Sequence, residues 1–390
     1  MITKEEIQKL NQKYKAEIIR HRHHLHAHPE LSFKENNTSL YIQQVLSDHH
    51  ISYTSGWADT GVVASIGKGP KVIGLRADID ALPIKEKSEK PYASQNEGVM
   101  HACGHDVHTS SLLGAAIILK EKEDELPLTV KFIFQPGEEK LPGGASILIK
   151  EGVLKNPDIE LIIGQHVHPE LEVGKVGICG GPFMASADEL HITVTGKGGH
   201  AAMPESCVDT IMVSAEIISA LHKITGRHAP KEATLLTIGK INSTGGATNI
   251  IPDEVKMKGT FRAFNEDWRM QAHELIKQTA EGIALAHGAR CEMNIIKGYP
   301  YLHNNENLTK QVKKNIQEYL GIENTIDLQK RMTGEDFAFY SHLIPACFYR
   351  IGTGNVSKGI TSGVHTSTFD VDERVFGHSS GLMAWLALNV

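Results

Sequence analysis

Short apolar runs alternate with long helical stretches through the first 165 residues, and that order restricts the chain to a sheet with helices packed on its faces. Residues 4–27 carry apolar positions at Ile7, Leu10, Tyr14, Ile18 and Leu25, the spacing of one helical face. His28-Pro29 should end that helix, because proline pushes the residue before it out of helical geometry. Residues 35–48 read as a second helix. Residues 107–122 read as a third, apolar nearly all round its middle and therefore buried. Residues 62–66, 72–76, 128–134 and 161–164 read as strands. The expected fold class is α/β, a mixed sheet flanked by helices.

The pattern changes near residue 190. Residues 190–195 alternate as a half-buried antiparallel strand does. A helix near 207–225, strands at 234–241 and 254–263, and a helix near 267–286 follow. This strand–helix–strand–strand–helix–strand order fits a small α+β unit inserted into the first domain, because residues 300–390 again carry chemistry resembling the first half. A chain of 390 residues is long enough for two domains of about 150 or more each. A formal charge of -6 with no basic stripe argues against a nucleic-acid partner. Five scattered cysteines make no disulfide framework. The N-terminus is polar, and no run of about 18 apolar residues occurs, so neither a signal segment nor a membrane span is expected and the compartment should be the reducing cytoplasm.

Polar clusters crowd the ends of the predicted strands, where open α/β sheets bind ligands. Arg76-Ala-Asp78-Ile-Asp80 brings two carboxylates to one side, where they repel unless a cation or a protonated histidine neutralises them; a helix cap or a surface turn is the plainer reading of the same residues. His101-Ala-Cys103-Gly104-His105-Asp106-Val-His108 supplies thiolate and imidazole, the usual ligands of borderline metals, with a glycine that permits a tight turn. The helix that follows should lower the thiol pKa. The same residues could form a Cys/His nucleophilic pair. Gln135-Pro-Gly-Glu138-Glu139 points adjacent carboxylates in different directions, so one could bind metal while the other acts as a base. Gly164-Gln-His166-Val-His168 offers a histidine at a strand end, and Gly363-Val-His365-Thr366 offers another. Taken singly each cluster is weak. The five histidines His21, His23, His24, His26 and His28 look like a metal tract, but on a helix beside Arg20 and Arg22 they face different directions. One or two of them should matter for packing.

In this order the clusters resemble the dinuclear aminoacylase/carboxypeptidase superfamily of metallopeptidases. Within it the chain is similar to the amidohydrolase branch of hippurate hydrolases, plant indole-acetyl-amino-acid hydrolases and N-acetyl-diaminopimelate deacetylases. The match runs from His26-Ala-His-Pro29-Glu30 to His365-Thr-Ser-Thr-Phe369-Asp370 and includes Gly198-Gly-His-Ala-Ala-Met-Pro204, Asn249-Ile-Ile-Pro-Asp253 and Gly334-Glu-Asp-Phe337. The resemblance implies a catalytic domain over 1–184 and 295–390, with a lid and dimerisation unit over 185–294. It implies two divalent ions (Mn, Zn, Co or Ni) on Cys103, His105, Glu139, His166 and His365, with the thiolate bridging. It implies Glu138 as general base, His200 polarising the scissile carbonyl from across a dimer interface, Asn249 and Arg262 near the substrate carboxylate, and Asp78 and Asp80 orienting ligands from behind. The implied substrate is a small N-acyl amino acid, the assembly a homodimer or higher homo-oligomer. A dipeptidase or carboxypeptidase activity, a thiol hydrolase, or a non-catalytic metal or peptide binder are the alternatives. Ser367 stands where the family often has proline, and His168 where it often has an aromatic residue.

Overall fold

The computed structural model describes residues 2–227 and 233–390. They divide into two compact units. The first takes in the chain up to Gly181, His303–Gln329 and Asp336–Val390. The second takes in Pro182–Leu302 and Lys330–Glu335.

In the first unit, helix α1 spans Lys4–Ala27. Thr3 caps it: the Glu6 amide donates to Thr3 Oγ1 and the Thr3 amide to Glu6 Oε2, so two otherwise orphaned N–H groups find partners. The helix stops one residue before His28-Pro29, as expected. Helix α2 spans Asn36–Asp48 and helix α3 His105–Lys120. Every residue of α3 from His105 to Leu119 is buried. Its Leu112, Leu113, Ile117 and Ile118 lie in one core with Ile7 and Ile18 of α1 and Leu382 and Leu386 of the C-terminal helix Ser379–Asn389. Each such side chain contributes about 1.5–3 kcal/mol by leaving water.

Strands β1 (Tyr53–Trp57), β2 (Gly61–Ile66), β3 (Val72–Asp78), β4 (Thr129–Gln135) and β5 (Leu161–Glu172) build most of the large sheet. Its order is β1-β2-β4-β3-β5, continued by Ala346–Gly354, Val176–Ile178 and Thr325–Asp327. β4, β3, β5 and Ala346–Gly354 run parallel, while β1 and β2 join antiparallel, so the sheet is mixed. β5 is longer than the sequence suggests. The apolar run ends at Ile163, yet the strand continues to Glu172, because Ala346–Gly354 pairs beside it with Arg350 opposite His166 and Gly352 opposite His168. Both histidines therefore lie within the strand and not after it.

The second unit is a four-stranded antiparallel sheet in the order Leu235–Ser243, Glu254–Arg262, Asp188–Thr195, Arg290–Ile296. Leu190, Ile192 and Val194 face inward in alternation and share a core with Val213, Ile217 and Leu221 of helix Thr210–Arg227 and Ala272, Ile276 and Ala280 of helix Glu266–Ala286. At one end of this sheet Asp188 is buried. Arg269 grips both its oxygens, His273 Nε2 lies 2.8 Å away and the Gly298 amide donates at 3.0 Å. Burial alone would raise the Asp188 pKa, but Arg269, His273 and the Gly298 amide bring it down to about 2. A depressed carboxylate pKa stabilises the fold above the unfolded value near 4 and loses that contribution as pH falls towards 2. The difference amounts to about 2 kcal/mol. Thermal unfolding of wild type and Asp188→Asn should thus show a gap at pH 6 that closes by about pH 2. A gap that is constant with pH would remove Asp188 as the titrating group.

Among the described residues no helix is long and apolar enough to cross a membrane.

Candidate metal centre

Five segments of the first unit supply the polar side chains of one cluster. The end of β3 and the residues after it carry Asp78 and Asp80. The turn into α3 carries Cys103 and His105. The turn after β4 carries Glu138 and Glu139, β5 carries His166, and a C-terminal loop carries His365.

Two glycines allow these turns. Gly104 sits at φ +83°, and a Cβ on it would lie 2.6 Å from the Val167 side chain of β5. Only a residue without a side chain lets Cys103 and His105 come this close to His166. Gly137 sits at φ +65° with the Phe33 ring where its Cβ would be, at 2.3 Å. Its amide donates to Glu35 Oε1 at 2.9 Å, which fixes the turn that sends Glu138 and Glu139 different ways.

The ring nitrogens are sorted. His105 Nδ1 lies 2.9 Å from the Asp80 carbonyl and 3.1 Å from Asp80 Oδ1, both acceptors, so it carries the proton. Its Nε2 is buried without a hydrogen-bond partner. His166 Nδ1 donates to the Val167 carbonyl at 2.8 Å, and its Nε2 lies 3.3 Å from Cys103 Sγ. His365 Nε2 lies 3.3 Å from the same sulfur and 3.1 Å from Glu139 Oε1. Ligand atoms of Cys103, His105 and His166 fall within 4.8 Å of one another. So do those of Cys103, Glu139 and His365, and those of His105, Glu138 and Glu139. Cys103 belongs to two of these triads. Inward-turned Nε2 atoms around a thiol and carboxylates are the donor set of a borderline divalent metal, and the buried His105 Nε2 with nothing to bond fits that group. His168 turns to Glu170 instead, 2.7 Å from its Oε2.

The electrostatics show why a cation suits the place. Burial disfavours charge on His105, but Asp78, Cys103 and Asp80 hold its pKa well above the ordinary range. Hydrogen bonds to Cys103 and Glu139 push His365 up to about 10. Burial would raise Asp78, yet His105, His108 and Arg76 hold it well below the usual carboxylate range. The thiol departs from the sequence expectation. Burial and the Glu139 charge raise the Cys103 pKa, and His105 and His365 offset them only in part. The start of α3 does not win because Cys103 is fully enclosed and faces a carboxylate.

Several residues of the quoted motifs take supporting roles that the sequence did not assign to them. His108 donates from Nδ1 to Asp78 Oδ1 at 2.6 Å and accepts the Val167 amide on Nε2 at 2.9 Å, so both its nitrogens are spent on bridging β3 and β5. Arg76 donates to Asp78 and Asp336, each at 2.7 Å. Asp336 also accepts from Gln135 and from the Ala145 amide, and its own amide makes a long contact, 3.4 Å, to Glu138 Oε1. Burial, partly offset by Arg76, lifts Asp336 to about 6. Asp336 lies 201 positions from Gln135, so no local pattern could have paired them.

His200, Asn249 and Arg262 all belong to the second unit. His200 is exposed, on a two-residue strand whose partner is Ile250–Ile251. Its Nδ1 accepts the Ala202 amide at 3.1 Å, and the Asn249 carbonyl accepts the Ala201 amide at 3.0 Å, so His200 and Asn249 are neighbours. Arg262 ends its strand and donates to the Met332 carbonyl at 3.0 Å.

Comparison with known proteins agrees with this picture. The profile of peptidase family M20/M25/M40 matches residues 74–383. An N-acetylcysteine deacetylase of Bacillus subtilis is 38% identical over 384 residues, covering 97% of both chains. An IAA-amino acid hydrolase of Arabidopsis thaliana is 37% identical over 94% of this chain and 84% of its own. The crystal structure of a dinuclear metal binding M20 peptidase from Bacillus subtilis superposes with a TM-score of 0.83 at 35% identity, covering 97% of this chain and 98% of its own.

Proposed function

Because the chain belongs to peptidase family M20/M25/M40, we propose that it is a metal-dependent amidohydrolase that splits N-acyl amino acids into a carboxylate and a free amino acid. The observation that carries the reading is a buried glutamate, Glu138, beside a converging set of thiol, imidazole and carboxylate donors. We assign two divalent ions, Mn, Zn, Co or Ni, to Cys103, His105, Glu139, His166 and His365. Such ions, when bound, polarise a carbonyl and make water acidic near neutral pH.

The protein's own groups do the rest. Glu138 takes a proton from the attacking water and returns it to the departing amine nitrogen. His200 donates a hydrogen bond to the oxygen that gains charge as the amide carbon becomes tetrahedral, a contact typically worth about 3 kcal/mol. Asn249 and Arg262 hold the carboxylate of the amino-acid half. Asp80 fixes the tautomer of His105, and Asp78 that of His108. We place His200 in the partner's centre within a homodimer or higher homo-oligomer.

The relatives differ in the acyl group their names specify, acetyl in one and indole-acetyl in the other, so the amino-acid half is the common element. The test is a panel of N-acetyl, N-benzoyl and indole-acetyl amino acids, N-acetyl-diaminopimelate and simple dipeptides, with released amine as the readout. Chelated protein should be inactive, and added Mn or Zn should restore turnover on the N-acyl substrates above the dipeptides. Turnover by protein shown to be metal-free would refute the reading. Fast dipeptide cleavage with none on acyl amino acids would replace it by a dipeptidase.

A further inference from the structure

One buried charged network is left unused by this chemistry. Arg22 of α1 is fully enclosed, and its guanidinium divides between two segments that carry proposed ligands. Its Nε donates to Asp106 Oδ2 at 2.9 Å, and its Nη2 to Asp370 Oδ1 at 2.9 Å. Asp106 directly follows His105. Asp370 closes the loop that begins with His365. A histidine joins from the same helix: His26 Nδ1 lies 2.8 Å from Asp106 Oδ2, and His26 Nε2 lies 3.3 Å from Glu86 Oε1. Glu86 belongs to a strap that also reaches the loop, through a Lys87 amide donating to the Ser367 carbonyl at 2.8 Å.

That loop has reason to need holding. His365 has a backbone φ of +61°, a region that a side chain other than glycine's rarely adopts and that persists only when the surroundings over-determine it. Its side chain is half exposed, so packing does not fix the ring. The backbone is pinned instead. The His365 amide donates to the Ala102 carbonyl at 2.7 Å, Phe369 is buried against Gly104, and Asp370 is tied through Arg22 back to Asp106. The circuit runs from one proposed ligand to another through Arg22.

We propose that Arg22, Asp106 and Asp370, with His26 in support, are positioning residues that set the His365 backbone over Cys103 and Glu139 and so determine how tightly the ion on that side is held. The inference rests on the metal assignment above. A planar guanidinium is the group for the task, since its three nitrogens meet three separate carboxylates, Asp106, Asp370 and, at 3.2 Å from Nη1, Glu373. Lysine could satisfy one of them only.

Asp370→Asn is the mild test, because asparagine keeps the shape and one acceptor. Arg22→Lys is the second, should the first be silent through compensation by Tyr92 and Lys90, which also contact Asp370. Metal content and affinity are read by titrating each metal-stripped protein with Mn or Zn against a competing chelator. Melting temperature of the stripped protein and kcat at saturating metal are recorded beside them. The expected result is affinity for one of two ions weakened by roughly 10–100-fold, the range found when partners behind a ligand are removed. The stripped proteins should melt near wild type, and excess metal should return most of kcat. Unchanged metal affinity in both variants, with or without a lower melting temperature, would overturn the proposal and leave the network a packing feature. Wild type is titrated first: if it binds no metal, the assignment of the centre fails and this inference with it. If wild type binds two ions and the variants do too with equal affinity, only this inference fails.

Discussion

Glu138→Gln should lower kcat by roughly 10²–10⁴-fold while both ions stay bound. The factor corresponds to about 3–5.5 kcal/mol of barrier. Glutamine keeps the volume of the side chain in its buried site and can still accept the Asp336 amide. What it cannot do is take a proton. The change therefore isolates base chemistry from packing and from metal binding, for which Glu139 and not Glu138 is the proposed ligand. Metal analysis and a full KM and kcat determination would check it, with KM moving little. A variant with wild-type kcat would place the base on another group and reopen the assignment of every role at this turn.

Cys103→Ala should strip the centre. The sulfur lies 3.3 Å from both His166 and His365 and takes part in two of the donor triads, so removing it takes a donor from each proposed ion at once. Three imidazoles would then converge with one anion fewer to balance a dication. Metal affinity should fall by more than about 10²-fold, beyond the effect of losing a partner behind a ligand, and activity should fall with it. Competitive metal titration is the measurement. A thiol nucleophile makes the opposite forecast: metal content would be irrelevant and activity alone would vanish. An alanine variant that retains two tightly held ions would rule out the bridging role.

Much of this could be read in advance, and what could not has physical causes. The helices were legible because burial of one face imposes a period, and α1 stops where His28-Pro29 said it should. The polar clusters at Asp78 and Asp80 and at Glu138 and Glu139 were legible because each sits at or directly after the end of an apolar strand. β5 was not, since Gln165, His166 and His168 look like a loop after Ile163; they form strand only because Ala346–Gly354 pairs alongside, about 180 residues later. The thiol was misjudged because a neighbouring helix start is visible in sequence while enclosure beside Glu139 is not. Arg22 passed as an ordinary charge on a histidine-rich helix, and its three carboxylate partners lie 84 to 351 positions away. Of the histidines around it, His21 and His26 are buried and His23 stacks on Tyr92, so the tract serves packing and the network more than any ion of its own.

The interrupted path of the first unit also sets a timetable for its birth. On a ribosome adding roughly 5–20 residues each second, His365 emerges some 10–40 s after His166. Until Ala346–Gly354 arrives, β5 has β3 on one flank and an open rim on the other. A nascent chain would thus carry an unfinished sheet rim for nearly half of its synthesis. Its last eighth holds both the strand that seals that rim and His365, the last of the proposed ligands, so a truncated product should aggregate before it could misload with metal.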